Sequence, residues 1–270
     1  MSDVGWRTRM QGVGLASRFR VTPTTQPEAI PEISVAQLPE HVATNSPAVL
    51  RRHVADWQPT RLWDPAHVAA ECADRPVQVR LMDPATGLPL APENPGGKYV
   101  VKTITASEAM AALDEAARAG VRSATYAAQL QLRHALPEIL RDAMPPPEAV
   151  AHLGSLSRTA PAAYFGVGNR TPVHFDAPEN LLCVVRGRKD VWLWHPGHGD
   201  AVGGGTVTDA AAALASHVVL FAGDAIYVPC CWWHAVGCPP GEVSISISYW
   251  AEPSSGKDGE GDGVDEWCSG

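Results

Sequence analysis

The second half of the chain consists of short apolar runs joined by Gly and Pro turns, and this pattern narrows the possible folds more than any other feature. Val243, Ile245, Ile247 and Tyr249 alternate with Ser244, Ser246 and Ser248. A period of two sends neighbouring side chains to opposite faces of an extended segment, so 243–250 is predicted as a strand. Residues 181–186 and 189–193 form two more runs, separated by Gly187-Arg188, which reads as a hairpin turn. Residues 218–221 and 225–228 flank a turn at Gly223-Asp224. Several short strands spaced by such turns predict a mainly β sandwich or barrel.

Helical signals concentrate before residue 145 and are expected to pack outside the strands. Asp64-Pro65 opens a helix that runs to about Cys72. Thr105 followed by Glu108 is a capping box, with Met110, Leu113 and Ala117 as an apolar face and Gly120 as the stop. Residues 126–140 read as a second helical stretch interrupted at Pro137. Residues 47–51, 77–81 and 99–101 are strand candidates, and 84–97 is a Pro/Gly-rich loop. Residues 1–28 read as a flexible extension. Residues 29–252 are expected to form one domain, with supporting elements over 29–150 and the β core over 151–252. Residues 253–270 form an acidic Gly/Ser-rich tail.

Composition excludes several classes. The chain has 270 residues, of which 45 % are hydrophobic and 19 % charged, which suits a packed domain rather than a disordered one. The formal charge is −8, without a long Lys/Arg run, so nucleic acid is not the expected partner. No stretch of 18 apolar residues is present, so no membrane span is expected, and the first residues lack the apolar core of a secretion signal. The six cysteines (Cys72, Cys183, Cys230, Cys231, Cys238 and Cys268) do not form a zinc-type or disulfide-type pattern. Reduced thiols and a cytoplasmic or nuclear setting are the expectation.

The chemistry points to Thr171-Pro172-Val173-His174-Phe175-Asp176. In an extended segment His174 and Asp176 lie on one side and can reach one metal ion. His234, after the run 226–228 and a bend at Pro229, is placed to supply a third donor. His217 is its competitor, although it flanks an apolar strand and reads as structural. His195 and His198 form a separate, weaker pair. Two imidazoles and one carboxylate make a facial triad with open positions, a set suited to iron(II) and oxygen.

With those residues stated, the segments 164–196 and 223–250 resemble the cupin-like JmjC family of 2-oxoglutarate oxygenases, in particular its small hydroxylase branch. The resemblance rests on Tyr164-Phe165-Gly166 before the His174/Asp176 segment, Asn180-Leu181-Leu182, Gly187-Arg188-Lys189, and Gly223-Asp224-Ala225-Ile226-Tyr227-Val228-Pro229 leading to Trp232-Trp233-His234. It implies a double-stranded β-helix (jelly-roll) fold. It also implies iron(II) held by His174, Asp176 and His234, with 2-oxoglutarate and O2 as co-substrates. Lys189 corresponds to the family's lysine for the far carboxylate, Thr171 and Tyr126 to its hydroxyl partners, and Asn180 to an asparagine near metal and co-substrate. Ser248 stands where the asparaginyl hydroxylase type has an asparagine, so that enzyme's specificity does not carry over.

The resemblance implies hydroxylation of a C–H bond, foremost on an amino-acid side chain of a protein or peptide. A small-molecule hydroxylase, an N-methyl-lysine or -arginine demethylase and a non-catalytic cupin-like binding protein are the alternatives. Trp232, Trp233, Arg170, Glu179 and Arg188 are further residues that could shape the pocket or meet a substrate. A monomer is expected, since no helical dimerisation element follows Trp250.

Overall fold

The computed structural model describes residue 27 and residues 29–92, 99–202 and 209–252. The expectations for the acidic tail and for nearly all of the N-terminal extension lie outside these residues, as does part of the 84–97 loop.

Twelve strands form two antiparallel sheets. The larger uses β1 (Ala48–Leu50), β2 (Pro76–Leu81), β3 (Val101–Thr105), β4 (Thr125–Gln131), β5 (Ala162–Gly166), β7 (Glu179–Arg186), β10 (Ala225–Val228) and β12 (Ser244–Ala251). Its order is β1-β10-β7-β12-β5-β4-β2-β3. The smaller uses β6 (His174–Phe175), β8 (Arg188–Trp194), β9 (Ser216–Phe221) and β11 (Trp233–Gly237), in the order β6-β11-β8-β9. Among the described residues no named strand of one sheet pairs with a strand of the other. The fold is thus a mainly β domain of two sheets with peripheral helices.

Three apolar layers follow from strand alternation. Leu181, Cys183, Val185, Ile245, Ile247 and Tyr249 of the larger sheet pack under the helices, against Leu38, Val68, Met110, Leu113 and Ile139. The opposite face of the same strands presents Leu182 and Val184 to Val191, Leu193 and Leu220 of the smaller sheet. A third cluster, with Trp194, Val202 and Trp233, covers the outer face of the smaller sheet. All eight residues of β12 are buried. Its serines pair across the strand with Leu182 and Val184, so they face the space between the sheets. The Ile/Ser alternation therefore separates a greasy core from a dry polar interior, not core from water.

The helices form where their caps predict. The Asp64 carboxylate accepts the His67 N–H at 2.8 Å and starts the helix Pro65–Cys72. Thr105 and Glu108 make the reciprocal cap of Ala106–Arg118, and Gly120 follows with φ +70°. Most helices lie in the N-terminal half, and two short ones, Gly199–Val202 and Asp209–Ala212, follow later.

Three expectations are corrected. Residues 126–131 are strand β4, not helix, and only Leu132–Ala135 and Pro137–Leu140 are helical. The register of β4 against β5 shifts between Ala127 and Leu130, with Gln129 at φ +55°. This bulge buries Tyr126, Ala127 and Leu130, a spacing that imitates a helical face. The first residues of the 99–101 strand are likewise not extended ladder, since β3 begins at Val101 and continues to the cap at Thr105. Finally, the runs around Gly187 are not a paired hairpin. β7 pairs with β10 and β12, whereas β8 pairs with β9 and β11. Gly187, at φ +65°, is the corner where the chain crosses from one sheet to the other.

A Cβ at Gly187 would lie 2.3 Å from the Val243 carbonyl oxygen, so both conformation and space require glycine there. Gly187→Ala is expected to destabilise the fold by about 2 kcal/mol or more, because left-handed strain costs roughly 1–2 kcal/mol before any clash. A thermal unfolding curve unchanged from wild type would refute this role.

Candidate metal centre

β6 and β11 are antiparallel neighbours, and His174 stands directly opposite His234 in their register. Cross-strand partners share a face, so both imidazoles project from the inner face of the smaller sheet, beside Leu193. Their ring centroids are 4.3 Å apart. Asp176, two residues after His174, points to the same side. One donor atom from each of His174, Asp176 and His234 lies within 4.8 Å of the others, and among the described residues no other group of metal-ligating side chains converges in this way.

Backbone carbonyls set the ring orientations. The Nδ1 of His174 is 2.9 Å from the Pro172 oxygen, and that of His234 is 2.9 Å from the Trp232 oxygen. A carbonyl only accepts, so each Nδ1 carries the hydrogen and each Nε2 keeps a free lone pair for a cation. Burial, and then neighbouring His174, push the His234 pKa down to about 4. His234 is therefore neutral near pH 7. Its 3.7 Å approach to the Asp176 carboxylate is a convergence of donors, not an ion pair. The Trp250 indole N–H donates to the Asp176 Oδ2 at 3.3 Å, orienting the carboxylate.

The loop before β11 is anchored from below. Buried Glu179 accepts the Tyr227 hydroxyl at 2.6 Å and the Cys230 N–H at 3.0 Å. The next residue, Cys231, adopts φ +63° and donates its N–H to the Asp176 backbone oxygen at 2.8 Å. Glu179 thus ties together the segments that carry Asp176 and His234, and it does not face a substrate.

Behind the triad the space between the sheets is polar. Lys189 is only 1 % exposed, opposite Leu220 of β9, and its Nζ has no hydrogen-bond partner among the described residues. Burial lowers its pKa, partly offset by Cys238. The Nζ lies 5.8 Å from the centre of the Tyr126 ring. Tyr126 is buried, which raises its pKa, and its hydroxyl interacts with Asn169. The Asn180 Oδ1, Ser246 Oγ and Asn169 Nδ2 atoms are also buried without partners among the described residues. Thr171 is half-buried, and its Oγ1 accepts the Val236 N–H at 2.9 Å. A lone ammonium at this depth is unfavourable unless an anion joins it, which is the cause of the lowered Lys189 pKa.

Tyr126, Asn180 and Lys189 therefore line the same inter-sheet space as the triad, whereas Thr171 sits on the β11 backbone at its edge. The other histidines lie apart. His217 stacks on Trp192 at 4.9 Å and meets Asp190 at 3.1 Å, on the outer face of the smaller sheet. The His195 and His198 rings are 6.2 Å apart, and the His195 Nδ1 accepts the Gly197 N–H. Trp233 packs on Phe175 in the outer cluster, while Trp232 is half-buried and donates to the Asn45 oxygen at 2.8 Å. Arg188 and Arg170 sit over Asp190 and Trp192, away from the triad. Asn169, Ser246 and Trp250 were not singled out from the sequence. The serine alternation marks Ser246, whereas nothing local marks Asn169.

Comparison with known proteins agrees with this geometry. A family model described as a cupin-like domain matches residues 35–210, more than half of the chain. The match includes His174, Asp176 and Lys189, and β11 pairing adds His234 from beyond it. A curated relative, named lysine-specific demethylase JMJ31 of Arabidopsis thaliana, is 29 % identical over 103 residues, covering 30 % of this chain and 18 % of that protein. The chain thus matches less than a fifth of that relative's length. On the family match and the triad together, this chain belongs to the cupin-like domain family.

Proposed function

We propose that the chain is an iron(II)- and 2-oxoglutarate-dependent dioxygenase that hydroxylates a C–H bond, foremost on an amino-acid side chain of a protein or peptide. The observation that carries this reading is the buried Lys189 side chain, whose Nζ meets no hydrogen-bond partner among the described residues, behind a complete His174/Asp176/His234 triad. A two-histidine, one-carboxylate set leaves open positions for a chelating ligand and oxygen. A dicarboxylate is the ligand type that would join the metal at one end and neutralise a buried cation at the other.

In this reading the two sheets form the double-stranded β-helix of the family, and residues 29–252 act as one domain. When bound, iron(II) supplies the oxygen chemistry, with 2-oxoglutarate oxidised to succinate and CO2. His174 and His234 would present Nε2 lone pairs, and Asp176, steadied by Trp250, would contribute the single negative charge. Lys189 would pair with the far carboxylate, with Tyr126 and Thr171 offering hydroxyls. Asn180 and Ser246 would supply polar atoms along the interior. The apolar side chains of Leu182, Val184 and Leu193 exclude water from this space and strengthen every charge contact in it.

A second reading, N-methyl demethylation, is favoured by the name of the Arabidopsis relative. Hydroxylation of an N-methyl C–H bond gives a carbinolamine that loses formaldehyde, so the same centre serves both outcomes. A small-molecule substrate is also compatible with the site. Among the described residues no helix is long and apolar enough to cross a membrane, and the five described cysteines are free.

Loaded with iron(II) without oxygen and then aerated, the protein is expected to convert 2-oxoglutarate to succinate. A substrate should gain 16 Da or release formaldehyde, both readable by mass spectrometry. His174→Ala should abolish turnover and tight metal binding. If aerated, iron-loaded wild type made no succinate above His174→Ala, the oxygenase reading would fail.

Lys189→Met makes a sharper prediction. Removing a buried amine that meets no partner among the described residues should raise the melting temperature of the ligand-free protein, since an unsatisfied buried polar group costs about 1–3 kcal/mol. The same change should weaken 2-oxoglutarate binding by about 100-fold, in line with the roughly 2–5 kcal/mol cost of breaking a buried charge pair. Calorimetric titration under argon checks the second effect and a melting curve the first.

A further inference from the structure

β2 brings a cation to the rim of the interior. Val77 and Val79 are buried in the helix-side core, so Gln78 and Arg80 point to the other face of the larger sheet. Arg80 stands directly opposite Tyr126 in the β2–β4 register, and partners across a ladder share a face. Half-buried Arg80 is therefore on the side that holds Tyr126 and Lys189, on the strand next to the edge of the larger sheet.

Two neighbours fix it there. The Arg80 guanidinium donates a short hydrogen bond to the Gln129 Oε1 and stacks 4.0 Å from the centre of the Tyr99 ring. Gln129 is the positive-φ residue of the β4 bulge, at +55°. A side chain aimed by a strained bulge has a constrained direction, and such strain gathers at functional positions. Several other arginines pair with carboxylates, Arg51 with Asp224, Arg75 with Glu138 and Arg141 with Glu71, whereas Arg118 and Arg122 donate to backbone carbonyls and Arg170 lies over Trp192. Among the described residues no carboxylate lies within ion-pair distance of Arg80. An amide oxygen and an aromatic face hold a guanidinium in place without neutralising it.

The position relates to the triad by a short series of contacts. The Tyr164 ring lies 6.2 Å from the Tyr126 ring and 6.2 Å from the Trp250 ring, and Trp250 donates to Asp176. The Tyr164 hydroxyl interacts with the Gln129 side chain, and the Arg80 charge acts on the Tyr126 and Tyr164 hydroxyls alike. Lys189 lies behind the triad, deep in the interior, whereas Arg80 lies at its rim.

From this arrangement we infer that Arg80 is a specificity-determining residue that binds a carboxylate on the substrate, so that the enzyme selects peptides with an acidic side chain near the oxidised residue. The inference rests on the proposed oxygenase reading for what happens at the metal, but not for the binding preference itself. The net charge of −8 would repel acidic peptides at long range, so the preference must come from this local contact.

The test uses the full chain loaded with iron(II) and 2-oxoglutarate under argon, and a randomised synthetic decapeptide library as probe. Retained peptides are read by mass spectrometry for wild type, Arg80→Ala, Arg80→Lys and Arg80→Glu. Wild type is expected to enrich Asp and Glu at least five-fold over Ala. Arg80→Lys should keep part of that enrichment, Arg80→Ala should lose it, and Arg80→Glu should favour Lys and Arg instead. The affinity for 2-oxoglutarate, measured on the same four proteins, should change less than two-fold and reports that each is folded. Absence of acidic enrichment by wild type, or its persistence in Arg80→Glu, overturns the inference. So does a ten-fold loss of 2-oxoglutarate binding in Arg80→Ala, which would place Arg80 in the co-substrate site. Failure of wild type to bind 2-oxoglutarate would instead strike the oxygenase reading, while the acidic preference would still be read from the retained peptides.

Discussion

The pairing of His174 with His234 across β6 and β11 is the contact on which the centre depends. β6 is only two residues long, too short to hold a register by its own hydrogen bonds. The register comes from neighbours. β11 is locked to β8 over five residue pairs, and the Cys231 N–H clamps the Asp176 backbone. Glu179 holds the Cys230 backbone beneath that clamp. A slip of one residue would turn His234 into the outer cluster and bring Trp233 inward, because a strand's period is two. The metal geometry is thus a consequence of ladder register more than of any interaction between the three side chains.

The second constraint is the polarity of the space between the sheets. Lys189 and the unpartnered atoms of Asn180, Ser246 and Asn169 are buried there, next to an apolar cluster that would be more stable without them. Polar groups without partners cost about 1–3 kcal/mol each. The larger sheet offsets that cost on its other face, where the helices cover a continuous apolar layer. One sheet therefore has two roles. Its helix-side residues stabilise the domain, and its serine-side residues leave a site that is incomplete without a ligand. Cross-strand geometry also places Tyr126 and Arg80 on that second side.

Much of this was legible in local patterns. The Thr105/Glu108 cap, the Asp64 cap, the β12 alternation and the His174/Asp176 spacing all appear as read, because each depends on residues within one turn or one strand. The misreadings share a cause. At β4 the bulge at Gln129 replaced alternation with a spacing of one and then three, which reads as a helix. At Gly187 the turn signal was correct, but a turn does not specify whether its flanks pair with each other or leave for different sheets. For Glu179 the sequence left the role open, and its burial follows from the Tyr227 hydroxyl and Cys230 N–H that it accepts.

By itself the sequence determined the strand-rich class, the helix caps and the two-residue spacing that puts His174 and Asp176 on one side. These follow from backbone periodicity and from short-range hydrogen bonds, which act within a few residues. Only the tertiary structure shows the register that sets His234 opposite His174, that Lys189 is buried between the sheets, and that Arg80 shares a face with Tyr126. Each of those outcomes depends on which strands lie side by side. Strand pairing is chosen by how the whole chain buries its apolar faces, and no local window of residues contains that information.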